Sequence, residues 1–287
     1  MFASKGMVAL FVASFFFATA AIFIRFATEA SAISLTFFRL FIAALAMILF
    51  ASARRSLRFL GRRDLTLVAV SGVFLSLHFA TFIFAVKGTT IANATFLVNT
   101  SPIMLAVLSP LLIKERTTSR EAMSVLVATV GVILVAHAGN GFHAFGLADL
   151  SALLAAFFVA QYSLVGRYLR TSGVSTACYT SYVYAAAALV ALLFVGVLGE
   201  HTFRLYDAQN VVAILGLALL PTAIGHSLYN YSLGSVKAVT ANLFPLMEPV
   251  LASILAIPLF GEVPNPIQIA GYALILLAVG IVATSLR

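Results

Sequence analysis

The chain has 287 residues, of which 62% are hydrophobic and 9% charged, with a mean hydropathy of +1.10. That composition excludes an ordinary soluble domain. A net charge of +8 on so apolar a chain points to anionic lipid and membrane topology rather than to nucleic acid.

In chain order, ten apolar stretches are predicted to be membrane-crossing helices: 6–27, 33–52, 64–86, 91–113, 121–138, 146–169, 176–198, 209–233, 238–260 and 266–286. About 20 apolar residues rising ~1.5 Å each are what ~30 Å of hydrocarbon requires. The stretches are too long and too evenly apolar for the strands of a barrel, so an all-α class is expected. The first follows Lys5 and contains Ala18-Thr19-Ala20, as a cleaved leader would. It runs on to Phe26 and is expected to be a structural helix.

If the N-terminus is cytoplasmic, the inner side holds Lys5, Arg54, Arg55, Arg58, Arg62, Arg63, Lys114, Arg116, Arg120, Arg167, Arg170, Lys237 and Arg287. The outer side holds only Arg25, Lys87 and Arg204, while Arg39 lies within the second span. Thirteen against three predicts both termini inside. The single cysteine, Cys178, excludes an intramolecular disulfide and is expected to fill apolar space.

The halves of the chain repeat. A shift of 147 places Ala94 on Ala241, Pro102 on Pro249, Leu108 on Leu255, Leu112 on Leu259 and Glu115 on Glu262. A shift of 148 places His78 on His226, and one of 142 places Arg25 on Arg167. Five spans per half, an odd number, require the halves to enter the membrane in opposite senses, an architecture recurrent among secondary transporters.

The run Ala92-Asn93-Ala94 to Asn99-Thr100-Ser101-Pro102, ending at Glu115, resembles the first repeat of the drug/metabolite transporter superfamily, EamA type. The run Ala241-Asn242 to Leu246-Met247-Glu248-Pro249, ending at Gly261-Glu262, resembles its second, and Phe38-Arg39 fits the same pattern. Within the family the chain is most similar to bacterial amino-acid exporters of the YddG type. The resemblance implies two five-helix repeats, here 1–144 and 145–287. It further implies an inward N-terminus in a bacterial inner membrane, and a central cavity drawn from helices one, three, four, six, eight and nine.

Polar side chains within the spans are the candidate cavity residues, because burying them in lipid is costly. Glu248 lies mid-span beside Pro249, and His78 and His226 occupy matching spans. Asn99 shares a helical face with Thr95 and Pro102. His226, Tyr229 and Asn230 form a stripe at i, i+3 and i+4, which suggests a wet lumen, and Gln161-Tyr162 is a shorter signal of the same kind. Pro102 and Pro249 are the candidate hinges, since each removes a backbone donor in mid-span. Arg39 is expected to be structural, pairing with Glu29 or with backbone carbonyls near the outer face, with binding of a substrate carboxylate as the alternative role. Glu115 and Glu262 are expected to cap or pair locally. Ala152, Ala156 and Ala160 form a small-residue stripe for close helix packing.

No Lys follows a Gly, so the chain carries no phosphate-binding loop and implies no ATPase subunit. No zinc-protease or nucleophile-elbow motif occurs, no metal-ligand spacing is present, and no cofactor is expected. The midplane lacks the cationic cluster that phosphorylated solutes need. An aromatic, amide-rich cavity with one carboxylate suits small neutral or zwitterionic solutes, amino acids foremost, exported by alternating access. The competing readings are an exporter of drugs or other metabolites with the same fold, a channel-like protein, and a membrane-embedded enzyme. The partners expected are the solute and membrane lipid, for a monomer or homodimer.

Overall fold

The computed structural model describes residues 2–140, 145–260 and 263–284. The 144/145 repeat boundary, the Gly261-Glu262 motif end and Arg287 touch residues outside that set. Among the described residues every regular element is helical, and ten helical stretches are long and apolar enough to cross a membrane. They are spans 1 to 10: Lys5–Phe26, Ala32–Ala53, Arg62–Gly88, Asn93–Leu112, Ser119–Ala138, Leu147–Thr171, Thr176–Val197, Ala208–Ser232, Ala238–Leu255 and Pro266–Thr284. Each lies within a few residues of its predicted position, because span length is set by hydropathy, which is local.

Helix starts follow capping chemistry. The side chains of Ser31, Thr90, Ser175 and Asp207 each accept from the backbone N–H three residues on, satisfying a donor the helix itself leaves free. The N–H of Asn210 stabilises the ionised Asp207 side chain and holds its carboxyl below the usual range.

Span 5 packs along span 10, span 2 along span 7, and span 3 along both span 6 and span 7. Span 8 packs against spans 1 and 2, span 6 also against span 4, and span 9 against span 1. Spans 5 and 10 approach closely enough for backbone contact. A Cβ added to Gly131 would stand 2.7 Å from the Gly271 carbonyl oxygen, and one on Gly271 2.6 Å from that of Gly131. The stripe Ala152, Ala156 and Ala160 is fully buried, as small-residue packing requires. Cys178 is buried and free.

Four spans are interrupted: span 1 ends one helix at Phe17 and starts another at Ala20, and spans 4, 8 and 9 are broken as well. Span 4 ends one helix at Val98 and starts another at Ser101, with Pro102 in the first turn. Span 9 comprises Ala238–Leu243, a 3-10 turn at Pro245–Met247, and Glu248–Phe260 with Pro249 second. The prolines therefore open new helices rather than kink continuous ones, a place where a missing N–H costs nothing. In span 8, Ala218–His226 winds as a π-helix containing Pro221. Wide turns of this kind recur at functional sites.

Candidate functional site

The interrupted spans meet at a narrow cavity of about 70 Å³, room for several water molecules at ~10–15 Å³ each. Its walls come from spans 1, 2, 3, 4, 6, 8 and 9. The polar groups are Arg39, His78, Asn99, Ser101, His226, Tyr229, Asn242 and Glu248, and Phe17, Phe79 and Phe82 supply aromatic walls. The helices implied by the family resemblance all contribute, and span 2 joins them through Arg39.

Five predicted residues, His78, Asn99, His226, Tyr229 and Glu248, line this one cavity. The other three do not. Asn230 turns toward span 6, where its amide donates to the Tyr162 hydroxyl and to the His226 carbonyl. Tyr162 is fully buried in that contact and stacks on Tyr179. Gln161 is half-buried and lies off the cavity wall. The stripe on span 8 therefore splits: His226 and Tyr229 face the cavity, while Asn230 ties two helices together, as a lipid-buried amide must.

His78 binds the Ala155 carbonyl through Nδ1 at 2.9 Å. A carbonyl only accepts, so Nδ1 carries the proton. The His78 and His226 ring centroids are 6.3 Å apart, with Phe79 4.9 Å from His226. Tyr229 donates to Ser163 Oγ at 2.7 Å, and Asn242 donates to Tyr229 Oη, to Ser163 Oγ at 3.2 Å and to the Ala238 carbonyl at 3.1 Å. Ser101 reaches Asn242 Oδ1 at 3.4 Å. This polar floor joins spans 4, 6, 8 and 9.

Arg39 departs from expectation. Its Nε donates to Thr222 Oγ1 at 2.9 Å, and its guanidinium carbon lies 3.5 Å from the Phe79 ring centroid. Among the described residues no ion pair joins Arg39 to Glu29, whose backbone N–H donates to Asn210 Oδ1 and whose backbone carbonyl accepts from Arg204. The tertiary fold turns Arg39 inward because the π-helical turn of span 8 presents Thr222 there. Sequence signals for the missed lining residues did exist: Arg39 is ionisable and within a span, and Ser101 and Asn242 lie inside the two repeated runs. Four cavity residues carry buried polar atoms without a hydrogen-bond partner among the described residues: Arg39 Nη1, Asn99 Nδ2, His226 Nδ1 and Glu248 Oε1. Native buried polar groups are rarely left so.

At the end where span 1 begins and span 10 ends, charged side chains tie the spans together. Arg167 pairs with Glu115 at 2.9 Å and donates to the Leu233 carbonyl at 2.6 Å. Lys237 pairs with Glu121 at 3.2 Å and donates to the Arg116 carbonyl at 2.9 Å. Glu115 thus pairs across the molecule rather than locally.

Two stretches, residues 4–137 and 146–284, match the model of the EamA-like transporter family. An uncharacterized transporter of Archaeoglobus fulgidus is 27% identical over 277 residues, 96% of this chain and 94% of that protein. The uncharacterized transporter YdfC of Bacillus subtilis is 28% identical over 83% of this chain and 77% of its own length. A probable terminal-alkyne amino-acid exporter of Streptantibioticus cattleyicolor is 28% identical over 74% of this chain and 71% of its own. One solved crystal structure superposes with a TM-score of 0.81 over 99% of this chain and 98% of its own, at 20% identity, a likeness of fold. With ten membrane-length helices and both halves matched, this chain is a multi-pass membrane protein that belongs to the EamA-like transporter family.

Proposed function

We propose that this protein is a secondary transporter that exports small metabolites, amino acids foremost, across the cytoplasmic membrane by alternating access. The observation that carries the reading is the polar cavity at the junction of spans 4 and 9, both broken at repeat-equivalent positions beside Pro102 and Pro249. Broken helices at a repeat interface are where transporters of this architecture bind solutes. Further support comes from the packing. Replacing each span by the one five places along exchanges the 3–6 contact with 8–1, 3–7 with 8–2, and 4–6 with 9–1. Two units of opposite orientation, 1–144 and 145–287, account for those exchanges and for the paired family matches. The relative described as a probable amino-acid exporter favours amino acids as the solute.

The Lys and Arg distribution supports a cytoplasmic side for both termini, and on that reading the charged cluster at that end would be the inner gate. Counterflow of a radiolabelled metabolite panel into proteoliposomes of the purified protein tests the reading. Saturable exchange of neutral amino acids is expected. Flux without saturation or counterflow would make it a channel, and exchange confined to other solutes would overturn the amino-acid assignment.

A further inference from the structure

Two side chains of opposite sign face the cavity, each more than nine-tenths buried. Arg39 is 2% exposed and leaves Nη1 without a partner; Glu248 is 8% exposed and leaves Oε1 without one. They come from spans 2 and 9, and among the described residues no ion pair joins them. Buried charge without compensation is expensive; the two groups act on each other only at a distance, and among the described residues neither free atom has a hydrogen-bond partner. The missing partner of each is a group that enters the cavity.

The geometry at Arg39 selects that group. Nε is held by Thr222, and the guanidinium plane rests on Phe79. Thr222 donates its own proton to the Leu217 carbonyl at 2.7 Å, so its oxygen can only accept from Arg39. With Nε taken and the plane fixed, the terminal nitrogens are the part left to bind, and that edge matches a carboxylate in two parallel bonds. Glu248, the first residue of the second helical segment of span 9, only accepts when ionised and suits a primary ammonium with three donors. Much of the remaining wall is apolar, with Phe17, Ala20, Phe82 and Val98.

We propose that Arg39 and Glu248 are the two poles of a zwitterion site. Arg39 receives the carboxylate of the solute, Glu248 its ammonium, and the apolar wall its uncharged side chain. This rests on the amino-acid reading above and adds to it: solutes with only one of the two charged groups are rejected, and the residue that rejects each is named. Thr222 is a positioning residue that aims Arg39.

Binding to the purified full-length protein in nanodiscs, followed by calorimetry, tests the assignment with two truncation series. One is L-phenylalanine, 2-phenylethylamine and 3-phenylpropionate; the other is L-leucine, 3-methylbutylamine and 4-methylpentanoate. Each amino acid is expected to bind about tenfold or more tightly than either truncated analogue, the worth of one charged hydrogen-bonded contact. Arg39→Gln should abolish the preference for phenylalanine over phenylethylamine and keep the preference over phenylpropionate; Glu248→Gln should do the reverse. Truncated analogues that bind wild-type protein as tightly as the amino acids would overturn the poles while leaving amino-acid transport standing, and that comparison needs no variant. Equal weakening of all three ligands by Arg39→Gln would also overturn the assignment, by reducing Arg39 to packing. If neither amino acid binds or exchanges, the amino-acid reading fails and the poles fail with it.

Discussion

Glu115 and Arg167 meet at 2.9 Å, one from each of the two stretches that match the family. The same guanidinium holds the Leu233 carbonyl, and the same carboxylate accepts the Ala238 N–H at 3.0 Å, so one ion pair fastens the ends of spans 4, 6, 8 and 9. Among the described residues both ion pairs, this one and Lys237–Glu121, lie at the end that carries the termini. The opposite end carries bonds to backbone carbonyls, as from Lys87 to Ala27 and Gln209 to Phe26, and side-chain pairs such as Ser34 with Thr202 and Asn93 with Asp149.

The pair should bias the protein toward closure at that end. Its side chains are 15% exposed, so its worth is roughly 1 kcal/mol, about a fivefold shift between two states. Arg167→Gln in a Cys178→Ser background should raise thiol labelling of Ser163→Cys from the terminus side by about that factor. The reversed pair, Glu115→Arg with Arg167→Glu, should restore protection. Identical labelling in all three backgrounds would mean that the pair closes nothing.

The two helix breaks make a second prediction. Pro102 and Pro249 each stand second in a new helix, where an alanine could donate and let the segments join. Pro102→Ala and Pro249→Ala should slow exchange more than they weaken binding, because binding needs one conformer and transport needs two. Both quantities are read from the same purified proteins. Wild-type exchange in both variants would end the hinge reading.

Among the described residues Thr222 is the sole partner of Arg39 Nε. Thr222→Val keeps the volume and removes the acceptor, at about 1–3 kcal/mol for a buried charged donor left unpaired. Phenylalanine binding should weaken while phenylethylamine binding stays unchanged, and Thr222→Ser should restore the difference. Equal loss for both ligands would make Thr222 a general packing residue.

Gly131 and Gly271 carry a fourth prediction, on stability. An alanine at either would place Cβ at 2.7 or 2.6 Å from the opposing carbonyl oxygen and push spans 5 and 10 apart. Either substitution should cost about 1–3 kcal/mol and lower the melting temperature followed by circular dichroism. Gly280→Ala, which meets nothing within 4 Å, should leave it unchanged or raise it slightly. If all three variants melt alike, spans 5 and 10 do not depend on close backbone contact at Gly131 and Gly271.

The ten spans, the small-residue stripe of span 6 and the proline sites at which spans 4 and 9 break were legible in the sequence. Hydropathy, residue size and proline act locally, and lipid leaves a long apolar segment no alternative to a helix. Helical periodicity also marked His226, Tyr229 and Asn230 as neighbours on one face. It could not say what each part of that face meets, and packing sent Asn230 to Tyr162 while leaving Tyr229 in the cavity. Arg39 found Thr222, 183 residues away, rather than the nearby Glu29, and Glu115 found Arg167 across the halves. The sequence determined which polar groups enter the membrane; only the tertiary structure decided which of them stay unpaired and face one cavity, because a buried partner is chosen by how distant helices rotate and pack against one another.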